Sequence, residues 1–223
     1  MLGIVLQARM GSTRLAKKSL LPLGGSTLVE QAMTRLSLVD ADLRVLATDE
    51  ASAEALAPAA RRRGFELLVG PAADVLGRYC LAIRRFGLDV VVRATGDNPL
   101  VSHELASLLV ERAAAQPSDY AGYLGMPVGM GVEVVAAEAL LRADAEARES
   151  REREHVCPYL YDHPELFRID RPEAPEGYLL PEARVTVDTR EDYESVLRIY
   201  GALYSGEPIP TLSIIDHLRG SGK

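Results

Sequence analysis

Cysteine is scarce in this sequence: two residues in 223, Cys80 and Cys157, far apart in the chain. That number and spacing match no disulfide framework, zinc site or Cys-x-x-Cys redox pair. Both thiols are expected to be reduced and semi-buried, in a cytoplasmic protein. No apolar run approaches the ~20 residues that a membrane span requires. Met1 leads directly into strand-like sequence without a basic n-region, so neither a membrane segment nor a signal peptide is expected. Walker A, Gly-x-Gly-x-x-Gly and Gly-x-Ser-x-Gly are all missing, which counts against a P-loop NTPase, a dinucleotide enzyme and a hydrolase triad. The four histidines, His103, His155, His163 and His217, lack metal-ligand spacing. Internal repeats and low-complexity tracts are absent. The net charge of −7 counts against a nucleic-acid partner.

One further absence is local. No acidic residue precedes Glu30, so the start of an acidic chain carries only positive charge. Within it, QARMGSTR (residues 7–14) follows the apolar run 2–6. Gly11, Ser12 and Thr13 are flanked by Arg9 and Arg14, and Lys17 and Lys18 come next. A turn rich in N–H and OH donors, at a strand end and ringed by cations, is what a polyphosphate needs. An ordinary basic loop is the plain alternative, and the strand-then-Gly-Ser-Thr context favours phosphate.

The remaining chain alternates β-rich and helical patterns. Strands are predicted at Leu2–Gln7, 43–47, 65–69 and 88–94, the last containing DVVVRA. Helices are predicted at 26–37 with Ser26 as N-cap, at 51–63 with Pro58 starting or kinking it, at 74–86 and at 102–115. This spacing implies an α/β fold, a Rossmann-like mostly parallel sheet with helices on both faces and right-handed crossovers. A hydrophobic fraction of 48% in 223 residues suits one domain, 1–223. After Pro117 the rhythm changes. Residues 120–181 read as an excursion from the main sheet: a loop or irregular hairpin at 120–131, a strand at 132–136, a charged helix at 137–161 and an extended stretch at 165–181. A strand at 184–187 is predicted to return to the sheet. Thr189 caps a helix at 190–204 with Asp192 in capping-box position, and 211–218 closes the chain as a short helix.

Ligands of open parallel sheets bind beyond the carboxyl ends of the strands. The predicted strands deliver there the basic loop, Thr48-Asp49-Glu50, Thr95-Gly96-Asp97-Asn98-Pro99 and Asp188-Thr189. One or two carboxylates plus phosphate oxygens and waters hold Mg²⁺, and Asp97 with Asp188 fits that pattern. The ordinary alternatives are a turn-forming Asp before Asn-Pro and an N-cap helper beside Thr189. DAD at 40–42 has the Asp-x-Asp form of metal-dependent sugar transferases but precedes a strand, which fits a solvated loop. SREREHV (150–156) reads as a solvated charged helix from which Arg151, Arg153 and His155 could touch an anionic substrate.

QARMGSTR with Lys18, then LLPLGG, RATGDNPL, GMGVEVV, EREHVCPYLY and RVTVDTRED, together resemble in sequence and order the cytidylyltransferases that make CMP-activated sugars, in the branch of spore coat polysaccharide biosynthesis protein F. The resemblance covers roughly residues 2–204. It implies the nucleotide-diphospho-sugar transferase type of Rossmann-like fold. It also implies that CTP and Mg²⁺ act on a sugar, often a sugar acid, giving a CMP-sugar and pyrophosphate for surface polysaccharide. It carries Arg9, Gly11, Ser12, Arg14 and Lys18 onto the triphosphate loop and Asp97 and Asp188 onto the Mg²⁺ ligands. With it, Gln7, Ala8, Thr48 and Gly96 are expected at the nucleotide, Arg14, Lys18 and Asp97 in catalysis, and Glu133, Arg153 and His155 at the sugar. The region 120–135 resembles the part that pairs two subunits, implying a homodimer. Four positions depart from the family pattern. Ala16-Lys17 stands where Pro-Gly is common, and Val128 and Gly131 stand where acidic residues are frequent near the sugar pocket. Two rival readings follow: a nucleotide-sugar glycosyltransferase, disfavoured by Gly-Asp-Asn in place of Asp-x-Asp, and a degenerate, non-catalytic nucleotide binder, disfavoured by the intact cationic loop and both aspartates.

Overall fold

The computed structural model describes residues 1–220. The chain begins with β1 (Leu2–Gln7), a small hairpin of β2 (Pro22–Leu23) and β3 (Ser26–Thr27), and helix α1 (Leu28–Leu36). Then β4 (Leu43–Asp49), α2 (Glu50–Arg63), β5 (Glu66–Gly70), α3 (Val75–Phe86), β6 (Val90–Thr95) and α4 (His103–Ala115) alternate. The second half contains β7 (Tyr120–Ala121), β8 (Glu133–Ala136), α5 (Ala137–Glu146), α6 (Ser150–His155), α7 (Pro158–Asp162), β9 (Ile169–Asp170), α8 (Arg190–Leu203) and α9 (Thr211–Gly220). Among the described residues, one seven-stranded sheet runs β5-β4-β1-β6-β8-β7-β9. The β5-β4-β1-β6 half is parallel, β8 runs antiparallel to both β6 and β7, and β9 is parallel to β7.

The apolar run of β1 explains its central place. Alternate residues point to opposite faces, and both faces are covered. Val5 packs with Val45, Leu68, Tyr79 and Cys80 on one side. Ile4 and Leu6 pack with Val29, Met33, Leu56 and Val92 on the other. A third cluster joins Leu15, Leu100, Met130, Val185 and Val187 to Ile199 of α8 and Ile214 of α9. It therefore ties the basic loop and the segment before Asp188 to the closing helices. No described helix is long and apolar enough to cross a membrane.

The structure corrects several expectations. α1 starts at Leu28 because Ser26 and Thr27 pair as β3, and the cap is Thr27, whose N–H donates to Glu30 Oε2 at 3.1 Å. α2 runs through Pro58 unbroken; its buried Leu56, Ala59 and Ala60 outweigh the lost hydrogen bond. The helix expected at 137–161 is three helices, interrupted at Ala147 and again at Val156 (φ 75°) before Pro158. Residues 120–181 extend the main sheet through β7, β8 and β9. Residues 184–187 do not rejoin it, because β8 already occupies the edge of β6. They lie instead beside Val128, with Val185 N–H donating to Val128 O at 2.8 Å and Val187 N–H to Asp97 O at 2.9 Å. Gly129 (φ +99°) makes this approach possible, since a Cβ there would sit 2.5 Å from Thr186 N. Cys80 and Cys157 are wholly buried, not semi-buried, and burial pushes the Cys80 thiol up to about 12.

A buried polar post ties α1 to the segments that precede α4 and α9. Arg35 of α1 is 1% exposed. Its Nε donates to Val101 O at 2.5 Å, Nη1 to Ile209 O at 2.6 Å and Nη2 to Thr211 Oγ1 at 3.2 Å. Glu104 supplies the counter-charge and accepts from Thr211 N–H at 2.9 Å. Burial opposes ionisation of Glu104, but the Thr211 hydrogen bonds outweigh it and hold its carboxyl below the ordinary range.

Arg35→Met leaves two buried carbonyls unpaired and removes the guanidinium counter-charge of Glu104, and is expected to cost about 2–4 kcal/mol in urea unfolding. Because Glu104 ionises more readily folded than unfolded, its contribution is full above the ordinary carboxylate pKa of 4.5 and is lost as pH falls through the lower folded value. Glu104→Gln is therefore expected to trail wild type at neutral pH and close the gap under acid. Lys17 holds a left-handed conformation, φ 55°. Lys17→Gly is expected to raise stability by about 0.5–1 kcal/mol, read as a higher denaturation midpoint at unchanged slope.

Candidate active site

A cleft of about 470 Å³ opens at the carboxyl ends of β1 and β6. Its first wall is the loop after β1. Ala8 N–H continues the ladder onto Ala47 O at 3.1 Å. Met10 N–H donates to Ser52 Oγ at 2.9 Å, Ser52 itself being fixed by Asp49, which caps α2. Ser19 Oγ donates to Arg9 O at 3.2 Å. The loop is thus pinned at its start, middle and return while Arg9, Gly11, Ser12 and Arg14 line the cleft. Gln7 lines it too, with its Oε1 buried and unpartnered.

Lys18 follows the left-handed Lys17 and projects to the cleft floor. Its Nζ donates to Asp97 Oδ2 at 2.9 Å, Asp188 Oδ1 at 2.9 Å and Val187 O at 2.8 Å, using all three of its donors. Asp97 is delivered by Gly96, where the chain passes so close to β1 that a Cβ would lie 2.8 Å from Ala8 Cβ and 3.1 Å from Gln7 O. Asp188 is delivered by the start of α8, whose Asp192 Oδ2 accepts from both Asp188 N–H and Thr189 N–H at 2.9 Å. Arg14 Nη2 reaches Asp188 Oδ1 at 3.1 Å and Arg184 reaches its Oδ2 at 2.5 Å. Burial works against ionisation of Asp188, but the Lys18 hydrogen bond and the charges of Lys18, Arg14 and Arg184 hold its carboxyl below the ordinary range.

The lining carries six cations, Arg9, Arg14, Lys18, Arg78, Arg93 and Arg184, against the carboxylates of Asp97, Glu154 and Asp188. On a chain of net charge −7 this is a focused positive site, suited to a polyanion. Sequence reasoning missed Arg78, Arg93 and Arg184. Arg78 is buried, with Nη1 on Pro71 O at 2.6 Å, and its one visible signal was a charge on the apolar stripe of α3.

Other candidates sit elsewhere. Thr48 is fully buried and does not line the cleft, because Asp49 turns the chain into α2. Arg153 is also outside the lining: its guanidinium is held by Asp74 and by Asp144, the latter at 2.8 Å. His155 lines the cleft beside Glu154, which meets Arg9 at 3.6 Å. Glu133 lies in a second, adjoining cavity, paired with Arg93.

The chain is similar to known proteins in sequence and in fold. It is 38% identical over 203 residues to the spore coat polysaccharide biosynthesis protein SpsF of Bacillus subtilis, covering 88% of this chain and 85% of that protein. A cytidylyltransferase from Leptospira borgpetersenii superposes with a TM-score of 0.91 at 29% identity, over 99% of this chain and 94% of the other. The structure of a CMP:2-keto-3-deoxy-manno-octonic acid synthetase complexed with CTP shares the fold at a TM-score of 0.69 and 16% identity, over 90% and 98% of the two chains. The family model for cytidylyltransferases matches residues 3–209, and the chain belongs to that family of nucleotidyltransferases.

Proposed function

We propose that this enzyme transfers the CMP group of CTP to a hydroxyl of a sugar or sugar acid, releasing pyrophosphate, with Mg²⁺ held by Asp97 and Asp188. The observation that carries the reading is Lys18 Nζ at 2.9 Å from a carboxylate oxygen of each aspartate, on the floor of a cationic cleft. Two hard oxygen donors converge there on one cation-sized point, and two carboxylates completed by waters and phosphate oxygens suit Mg²⁺. Bound there, Mg²⁺ would neutralise charge at the α-phosphate and polarise it toward attack.

The chain's own groups supply the rest. Arg9, Arg14 and the Gly11 N–H bind the β- and γ-phosphates. Lys18 stabilises charge on the departing pyrophosphate. Arg14 and Arg184 keep Asp188 ionised. The acceptor oxygen forms its bond to the α-phosphorus as the bond to the bridging oxygen breaks, and the hydroxyl proton leaves to water. Positioning and electrostatics provide most of such catalysis. The named role of the Bacillus subtilis relative supports a surface-polysaccharide destination. A homodimer through 120–135 belongs to the same reading. Leu124 and Val128 are 40% and 50% exposed there, and a monomer mass in light scattering would remove that element.

Calorimetry with CTP, UTP, ATP and GTP, each with Mg²⁺, is expected to favour CTP; equal binding of all four would reject the cytidylyltransfer reading. Asp97→Asn is expected to lower turnover by at least ~10²-fold, and near-normal pyrophosphate release would overturn the metal assignment. Lys18→Met removes the ammonium that competes for the two carboxylates. It is expected to tighten Mn²⁺ binding to the nucleotide-free protein by about tenfold, seen by electron paramagnetic resonance, while turnover falls.

A further inference from the structure

A second cavity of about 340 Å³ adjoins the cleft, sharing Arg93, Thr95, Asn98, Val128 and Gly129 with it. It therefore opens beside Asp97, where an acceptor must lie if the cleft holds the nucleotide. We propose that this cavity takes an uncharged, hydroxylated sugar and discriminates against one bearing a carboxylate. The inference rests on the reading of the cleft as the CTP site.

Among the described residues, the lining of this cavity contains one cation, Arg93, and one anion, Glu133. They neutralise each other. Arg93 and Glu133 face one another across β6 and β8 in register, and Arg93 Nη1 donates to Glu133 Oε2. Tyr120 OH donates to the other oxygen, Oε1, at 2.9 Å, so both carboxylate oxygens are engaged. The side chains are 16% and 20% exposed and are held by the sheet itself. Burial opposes the charge on Arg93, but Glu133 more than offsets it and its pKa is raised. A sugar carboxylate would thus enter a site whose one cation already has a carboxylate partner and whose one anion lies close by.

Two polar atoms on the wall shared with the cleft are left over. Arg93 Nε is a buried donor without a partner, and Asn98 Oδ1 is a buried acceptor without one, its Nδ2 being spent on Thr95 Oγ1 at 2.8 Å. A hydroxyl can satisfy a donor and an acceptor together, whereas a carboxylate only accepts. The rest of the wall includes Tyr123, Met126, Pro127, Val128 and Val132, which suit the apolar face of a sugar ring. Val128 and Gly131 bring no charge.

The test uses the full chain with Mg²⁺ and the α,β-methylene analogue of CTP. Two matched probes are titrated by calorimetry: 3-deoxy-manno-octulosonate and its carboxamide. Wild type is expected to bind the carboxamide at least tenfold more tightly than the acid. Glu133→Gln, which frees the Arg93 charge, is expected to tighten the acid at least tenfold. Wild type binding the acid as tightly as the carboxamide would overturn the proposal, and this holds even if the variant does not fold. A folded Glu133→Gln protein with no gain for the acid would also overturn it, as would failure of both probes while the CTP analogue binds. Failure of the CTP analogue itself would instead reject the nucleotide reading of the cleft.

Discussion

Two carboxylates that converge on one point repel each other unless a positive charge lies between them. Asp97 and Asp188 meet that constraint through Lys18, which also takes the Val187 carbonyl. The three side chains come from segments 79 and 170 residues apart in sequence. The ammonium therefore does structural work: it closes the basic loop onto the turn after β6 and onto the start of α8. The same arrangement defines a position suited to a cation. A hard divalent ion is the natural competitor for the ammonium, and a polyphosphate is the natural acceptor of the displaced lysine.

Holding that geometry requires a scaffold behind it. Leu15 anchors the loop, Leu100 the turn after Asp97, and Val187 the residue before Asp188, all in one apolar cluster with α8 and α9. Arg35 performs the polar counterpart, tying α1 to the Val101 and Ile209 carbonyls. Close packing transmits small displacements, because interiors resist deformation. The closing helices are thus coupled to the site although neither lines the cleft.

The parallel half of the fold was legible because its signal is local. Apolar runs followed by amphipathic stretches repeat from β1 to α4, and the strand-end rule then points to Asp97 and the basic loop. Asp188 was found by the same rule for a partly different reason: 184–187 is not a strand of the sheet, and Val187 is held by the Asp97 carbonyl instead. Thr48 shows the rule's limit, since a strand end presents alternate residues to opposite sides and the next residue here is a helix cap. Arg153 shows another. Its partner Asp74 lies 79 residues away, and charge on a short helix does not reveal such a pairing. The Arg93–Glu133 pair was hidden for a topological reason, because it exists only when β8 runs antiparallel beside β6, and a chain of alternating strands and helices argues for parallel neighbours.

That antiparallel pairing divides the binding region into two electrostatic compartments. The cleft has an excess of cations and the adjoining cavity is neutral, with Arg93 at the boundary. On the function proposed above, a nucleoside triphosphate would bring about four negative charges into the first compartment, where cations and a metal would balance them. A nucleophile arriving from the second must approach that charge closely. An anionic acceptor would need its own cation to do so, as exposed charges at this range are poorly screened once water is displaced. Here the cation at the boundary is paired across two strands with a carboxylate that also holds Tyr120. The sheet thereby holds in its own framework the charge that an acidic acceptor would require, and on the proposed reading an uncharged acceptor would reach the α-phosphate without breaking the Arg93–Glu133 pair.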